Sequence, residues 1–137
     1  DLLPMCAEER IAVIPYNPLA GGMLTGKHDG AAPPPEGSRF TLGEAGPRYQ
    51  ERYWNRREFE TVEALKPIAA EAGMTMARMA MRWVLSTPAI TAPIVGASRP
   101  EQLADSLAAA DEGPLPADLK ARLDDLTHEW RAVDADR

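Results

Sequence analysis

The order of apolar and polar positions predicts helices that alternate with two short strands. Apolar residues at helical spacing predict a helix from Asn55 to Ala72, with Gly73 placed as its C-terminal cap. Thr75 is a suitable N-cap for a second helix, whose apolar stripe continues until Pro88 ends it. These two helices are the most regular part of the pattern.

Three further helical segments follow from the same spacing. The segment from Asp1 to Arg10 has the pattern of the end of a helix. Pro100 suits the first position of another helix, with Leu103 and Leu107 directed inward. The last helix is predicted from Asp118 to Val133, with its leucines on one face together with Trp130.

Two short apolar runs, Ile11 to Pro15 and Ile90 to Val95, lack clear alternation and are typical of strands buried on both faces. Helical connections between strands indicate a parallel sheet. Two parallel strands do not form a stable sheet by themselves, so we expect further strands upstream and an isolated chain that is poorly folded or associates through exposed strand edges. The segment from Asp29 to Pro47 is rich in Gly and Pro and is predicted to be a long functional loop or disordered.

Composition narrows the class of protein. The 137 residues, of which 45% are hydrophobic, fit one globular unit. The sequence shows neither a signal peptide nor an apolar run long enough for a membrane span, so a cytoplasmic protein without membrane contact is expected. The single cysteine, Cys6, excludes an intrachain disulfide and is interpreted as a small packing residue. A net charge of −6 argues against nucleic acid as a partner.

The two predicted strand ends hold residues suited to a phosphate-bearing ligand. The first end, "YNPLAGGMLTGK", offers the flat ring of Tyr16, the bare backbone of Gly21 and Gly22, and the ammonium of Lys27. The second end, "GASRPEQLADS", offers Gly96, Ser98 and a guanidinium, Arg99, at the start of a helix. Ligands of α/β folds bind at the carboxyl ends of strands, and these residues therefore predict a nucleotide-phosphate site.

The motifs "VIPYNPLAGGMLTGK" and "PIVGASRPEQLADSLAA", in this order and separated by a loop and two helices, resemble the last third of an aldo-keto reductase. The resemblance covers essentially the whole chain and is greatest to the bacterial branch related to the potassium-channel β subunit. It implies that residues 1–137 are the C-terminal portion of one (β/α)₈ TIM barrel, with about two parallel strands and flanking helices. It also implies NADP(H) as cofactor and reduction of a small-molecule carbonyl substrate, an aldehyde or ketone.

The resemblance assigns the cofactor-binding residues by position. Tyr16 would stack on the nicotinamide ring, and residues of the first motif would line the pyrophosphate: Asn17, Leu19, Gly21 or Gly22, and Lys27. The second motif would hold the 2′-phosphate through Gly96, Ser98 and Arg99, and the adenine end through Gln102, Asp105 and Ser106. The family often has Glu-Asn where this chain has Asp105-Ser106.

No catalytic residue is assigned within the chain, because the family's tetrad of Asp, Tyr, Lys and His would lie upstream of Asp1. His28 is therefore interpreted as a surface or packing residue. The pattern "ALKPIAAEAGMTMARMAMRWVL" leaves one alternative of another class, a helix-turn-helix-like binding module. Neither the substrate nor the oligomeric state follows from the sequence.

Overall fold

The computed structural model describes residues 2–128, and most of them lie in helices. The α-helices of this range are α1 (Leu2–Glu8), α2 (Gly46–Tyr53), α3 (Arg56–Glu71), α4 (Met76–Leu85), α5 (Ala104–Glu112) and α6 (Ala117–Leu126). Three shorter 3₁₀ segments lie between them: Ala20–Thr25, which we call the glycine turn, Gly43–Ala45 and Pro100–Leu103.

The predicted pair of regular helices is confirmed as α3 and α4. Asn55 caps α3, because its side-chain oxygen accepts the Glu58 N–H at 3.4 Å, and Thr75 caps α4 by accepting the Arg78 N–H at 3.1 Å. Gly73 follows α3 with a φ of 66°, a left-handed conformation that suits glycine. Side-chain caps therefore set the starts of both helices, and the cap at Thr75 is the one that the sequence predicted.

The helix predicted at Pro100 begins there as a 3₁₀ turn, and regular α-helix follows from Ala104. The prediction that Leu107 points inward is wrong, because its side chain is 62% exposed. Ser106 and Ala109 occupy the buried face instead. The cause is the pairing between α4 and α5, in which Arg78 contacts carboxylates on α5 at 3.3 and 3.1 Å and so fixes the rotation of the helix.

Helix α2 was not predicted, since the sequence interpretation ended the loop at Pro47 and placed the next helix at Asn55. Pro47 lies in the first turn of α2, a position that proline favours. The loop before it is compact at its end: Phe40 is completely buried, and its carbonyl accepts the Gln50 side-chain amide at 2.7 Å. The end of the Gly- and Pro-rich segment thus packs into the core and positions α2.

The two strand segments pair in parallel, as predicted, but only through isolated bridges between Val13 and Ile90 and between Tyr16 and Ile94. The prediction that both segments are buried on both faces is wrong. Ile14 and Ile94 are each 56% exposed, because no further segment within residues 2–128 covers them. The sheet therefore has little of the hydrogen bonding expected of a complete barrel.

The core lies between the glycine turn, the end of the loop and the helices α3, α4 and α6. Its buried members are Met23, Phe40, Val62, Leu65, Ile68, Ala69, Met76, Met79, Leu115 and Leu123. Cys6 is also buried, which agrees with its interpretation as a packing residue. The predicted extension of the last helix to Val133, including Trp130, lies outside the described residues.

Replacing Phe40 with alanine is expected to destabilise the fold. A completely buried phenylalanine lost to alanine removes its transfer free energy and leaves a cavity, a change of about 3–5 kcal/mol in the free energy of unfolding. Urea denaturation followed by tryptophan fluorescence measures it. Leu42→Ala is the control, because Leu42 is 54% exposed, and a similar loss in both variants would contradict this account.

The exposed strand segments predict association of the chain in solution. Replacing Ile14 and Ile94 together with lysine should increase the fraction of monomer in size-exclusion chromatography with light scattering, because charge on an open edge opposes pairing between copies. Leu42→Lys, which lies outside the strand segments, should leave the distribution unchanged. A monodisperse monomer with a sharp thermal transition in the unaltered chain would contradict this prediction.

Candidate functional site

Parallel pairing brings the carboxyl ends of the two strand segments to the same edge. The Thr91 N–H donates to the Val13 carbonyl at 2.9 Å, and the Ile94 N–H donates to the Pro15 carbonyl at 2.7 Å. Tyr16 therefore lies beside Ile94, with the glycine turn following one segment and Gly96 following the other. The two motifs selected from the sequence share this edge.

The glycine turn has an unusual backbone. Asn17 and Ala20 have φ values of 59° and 50°, and Gly21 and Gly22 have φ values of 69° and 99°. A Cβ on Gly21 would lie 2.7 Å from Cδ1 of Tyr49, a contact too short for any side chain. Glycine is required at this position both for its conformation and for the close approach of the tyrosine ring.

The amide groups of the turn are used internally. The N–H groups of Ala20 and Gly22 donate to the carbonyls of Asn17 and Leu19 at 3.0 and 2.9 Å, and Gly21 donates to the Asn17 side-chain oxygen at 2.7 Å. These donors are not offered to a ligand. The glycines thus determine the shape of the turn, and the positive charge at this end of the strand segment comes from a side chain.

Lys27 supplies that charge. Its side chain is exposed, and its ammonium lies 3.9 Å from the position that a Cβ on Gly22 would take. The ammonium therefore lies beside the bare backbone of the turn. A positive group in this position suits a phosphate or another anion at the strand edge.

His28 lies on the buried side of the same turn. The imidazole is 6% exposed and packs edge-on against Phe40 and Trp54, at centroid distances of 5.2 and 5.1 Å. Neither ring nitrogen has a hydrogen-bond partner among the described residues. Burial, with a smaller contribution from the charge of Lys27, lowers the pKa of His28 below its ordinary value of 6.5. The packing interpretation of this histidine is confirmed.

Tyr16 presents its ring to solvent at the strand edge, where the side chain is 69% exposed. Arg52, on α2, reaches this region. Its guanidinium lies over the Tyr53 ring, 5.8 Å from the centroid, and interaction with the hydroxyl groups of Tyr53 and Tyr16 raises the pKa of Arg52. The exposed aromatic face is suited to stacking on a planar ligand group.

The second motif forms a local network at the start of the 3₁₀ segment. The Ser98 N–H and hydroxyl both donate to the Gln102 side-chain oxygen, at 2.9 and 3.1 Å, and the Gln102 N–H donates to the Arg99 carbonyl at 3.1 Å. Within residues 2–128 no carboxylate forms a recorded ion pair with Arg99, and its side chain is exposed. No atom of residues 2–128 lies within 4 Å of the position that a Cβ on Gly96 would take, so in this part of the chain the backbone there is open.

The remaining two site residues, Asp105 and Ser106, are placed differently. The Asp105 carboxylate accepts a hydrogen bond from Arg78 of α4 at 3.3 Å, and Ser106 is only 6% exposed. Both residues thus contact or face the rest of the fold. Ser98, Arg99 and Gln102, in contrast, remain accessible.

Sequence reasoning missed the contribution of α2 to this site. Tyr49 and Tyr53, four residues apart on one helix face, contact Gly21 and Asn17. The signals available were Pro47, which suits a helix start, and the tyrosine spacing itself. The sequence interpretation assigned these tyrosines to a loop.

Within residues 2–128 there is no group of three or more His, Cys, Asp or Glu side chains arranged to hold a metal ion, and no helix is long and apolar enough to cross a membrane. The helix-turn-helix alternative is not supported either. Met76 and Met79 of the second helix are buried, and Arg78, its one strong base-reading side chain, pairs with Asp105 and Glu112.

Comparison with known proteins agrees with this geometry. The model of the aldo/keto reductase family matches residues 1–128. Similar relatives include an aldo-keto reductase of Pseudocercospora fijiensis, 34% identical over 125 residues, which cover 87% of this chain and 42% of the relative. A probable voltage-gated potassium channel β subunit of Arabidopsis thaliana is 36% identical over 122 residues, covering 84% of this chain and 34% of the relative.

A third relative is aflatoxin B1 aldehyde reductase member 2 of Rattus norvegicus, 37% identical over 146 aligned residues, with 97% of this chain and 38% of the relative covered. Among solved structures, a glycerol dehydrogenase of Gluconobacter oxydans superposes with a TM-score of 0.72 at 22% identity, covering 94% of this chain and 38% of the other. This likeness shows the fold. The chain spans 34% to 42% of the length of these three relatives.

Acid is expected to destabilise the fold through His28. Because the pKa of His28 is lowered in the folded state, the unfolded chain binds more protons below pH 6.5, so the stabilisation is complete above that pH and decreases as pH falls through this window. Urea denaturation of the unaltered chain and of His28→Phe between pH 8 and 5 should show the smaller pH dependence in the variant. An equal slope in both would contradict this origin, and substitution of the exposed His128 with glutamine serves as the control.

Proposed function

The chain belongs to the aldo/keto reductase family, and we propose that it forms the NADP(H)-binding C-terminal part of a carbonyl reductase. The observation that carries this proposal is the common edge of the two strand segments. An exposed tyrosine ring, a bare turn beside Lys27, and the exposed guanidinium of Arg99 all lie on segments that end there. The substrate class is an aldehyde or ketone.

The residues present fit a phosphorylated dinucleotide. Such a ligand carries a planar ring and several negative charges, and the described part of this edge offers an exposed aromatic face and exposed cations, among them Lys27 and Arg99. A guanidinium can bind a phosphate through two hydrogen bonds, which favours a 2′-phosphate and hence NADP over NAD. NADPH, when bound, supplies the hydride.

Each residue then has a distinct task. Tyr16 covers one face of the nicotinamide, so that the other face is turned toward the carbonyl carbon. Asn17, Leu19 and the glycines shape the pyrophosphate side, and Lys27 balances its charge. On the second segment, Gly96, Ser98 and Arg99 hold the 2′-phosphate.

The adenine end is assigned to Gln102, Asp105 and Ser106. Gln102 is accessible, whereas the Asp105 carboxylate is held by Arg78. We therefore propose that Gln102 makes the principal contact there. Asp105 and Ser106 contribute by fixing α5 against α4.

The chain provides orientation and affinity, and no residue within it is proposed as the proton donor. The family's tetrad of Asp, Tyr, Lys and His is assigned to a part of the barrel that these 137 residues do not contain. We consequently propose that this chain alone is inactive toward carbonyl substrates. Tyr16, Tyr49 and Tyr53 are not assigned that role.

Titration of the chain with NADPH tests the proposal directly. Quenching of tryptophan fluorescence and isothermal calorimetry should both show saturable binding that is tighter for NADPH than for NADH. A gel-shift titration with nonspecific DNA should show no complex at the same protein concentrations. Absence of saturable NADPH binding, with the chain folded by circular dichroism, would contradict the assignment.

Replacing Arg99 with alanine should weaken NADPH binding more than NADH binding. Loss of a charge-assisted contact with the 2′-phosphate amounts to about 1.5–3 kcal/mol, or roughly 10- to 150-fold in Kd. Calorimetry with both cofactors measures the difference. Arg56→Ala is the matched control, because Arg56 is an exposed arginine that pairs with Glu60 at 3.3 Å. Equal losses for the two cofactors would remove Arg99 from the 2′-phosphate role.

A further inference from the structure

One hydrogen bond joins helix α2 to the residue that follows the exposed Tyr16. The side-chain amide of Asn17 donates to the Tyr53 hydroxyl at 3.1 Å. The two residues are 36 positions apart in the sequence, so this is a tertiary contact. Tyr53 is partly buried, which limits the movement of its ring.

The other end of the same amide controls the glycine turn. The Asn17 side-chain oxygen accepts the Gly21 N–H at 2.7 Å. A rotation of the amide by half a turn would exchange its oxygen and nitrogen and would turn the nitrogen toward the Gly21 N–H, donor against donor. The Gly21 N–H, which can only donate, therefore selects the orientation of the amide, and the Tyr53 hydroxyl holds the amide in place from its other end.

The turn needs this support because its backbone is unfavourable for most residues. Asn17 and Ala20 are not glycines, yet both have left-handed φ values, of 59° and 50°. Such residues persist only where surrounding contacts hold them. Tyr49, one helical turn before Tyr53, packs its ring against Gly21 and supports the turn from the same face of α2.

The position of Lys27 follows from the turn. The Lys27 ammonium lies beside Gly22, and the backbone from Gly22 to Lys27 follows directly after Gly21, which the Asn17 side chain holds. A change in the turn would move this cation relative to Tyr16. The position of the Lys27 ammonium thus depends on the uncharged hydrogen bond between Tyr53 and Asn17.

We propose that Tyr53 is a positioning residue of the cofactor site, and that its hydroxyl acts through Asn17 to hold the glycine turn in the conformation that receives the pyrophosphate. This role rests on the proposed function. Tyr53 itself does not touch the cofactor. Its loss would remove one of the two hydrogen bonds that hold the Asn17 side chain, so that ligand binding would have to order the turn to a greater extent.

The test compares the removal of two hydroxyl groups, one that bonds to Asn17 and one that lies outside the site. Tyr53→Phe removes only the hydroxyl and should raise the Kd for NADPH about 3- to 10-fold, the usual effect of one neutral hydrogen bond. Thr127→Val is the matched control, because it also removes one hydroxyl, which donates to the Leu123 carbonyl at 2.9 Å at the end of α6, and it should change the Kd less than twofold. Equal Kd values for Tyr53→Phe and the unaltered chain would overturn the proposal.

A double-mutant cycle separates positioning from general packing. In an Asn17→Ala background, Tyr53→Phe should raise the Kd less than it does in the unaltered chain, because the hydroxyl has lost the group through which it acts on the turn. An additive loss would overturn the proposed route through Asn17. The melting temperatures of all variants are measured alongside, so that loss of folding is recognised.

A cofactor-free measurement distinguishes this inference from the proposed function. In ¹⁵N-labelled protein without NADPH, Tyr53→Phe should speed amide hydrogen exchange at Gly21. Exchange at Gly73, which donates to the Ala70 carbonyl at 3.1 Å at the end of α3, should not change. An unchanged Gly21 rate would overturn the role of Tyr53. If Tyr53→Phe speeds exchange at Gly21 but the unaltered chain binds no NADPH, the proposed function and the cofactor role of Tyr53 would both be overturned.

Discussion

Two backbone hydrogen bonds, from Thr91 to Val13 and from Ile94 to Pro15, fix the direction in which the two strand segments run. Because the pairing is parallel, everything that follows either segment in the chain emerges on the same side. An antiparallel pairing would separate Tyr16 from Arg99 by the length of the strands. The candidate site exists because of this direction, although the pairing itself is short.

Aromatic packing in the core supports the edge at which the two strand segments end. The aromatic side chains of Phe40, Trp54 and Phe59 connect the end of the long loop, α2 and α3, and His28 joins them from the residue after Lys27. Their packing determines where α2 lies. Through α2 it also determines where the two tyrosines meet the glycine turn, so the apolar core and the polar site are parts of one arrangement.

Local signals in the sequence predicted much of the fold. Apolar spacing predicted the helix that starts at Asn55, and Thr75 marked the next start because a capping side chain bonds to backbone only a few residues away. Burial depends on what covers a surface, so the exposure of Ile14 and the outward orientation of Leu107 did not follow from spacing.

The candidate site was predictable only in part, for the same reason. Residue types suited to a phosphate were visible as motifs, and the parallel strands placed the two motifs together. The contact of Tyr53 with Asn17 spans 36 residues and has no local pattern, and the internal use of the turn's N–H groups depends on dihedral angles that the sequence does not encode locally. Which of the motif residues face outward was therefore learned from the three-dimensional arrangement.

The internal hydrogen bonds of the glycine turn bear on kinetics. A loop that must first fold around its ligand slows association, whereas a turn whose donors are already satisfied has its final shape before encounter. The rate of ligand association at this edge would then be set by diffusion and by the attraction of Lys27 for an approaching anion. This rate would fall as added salt screens the charge of Lys27. The rate of ligand dissociation, rather than of association, would then differ between relatives with different turns.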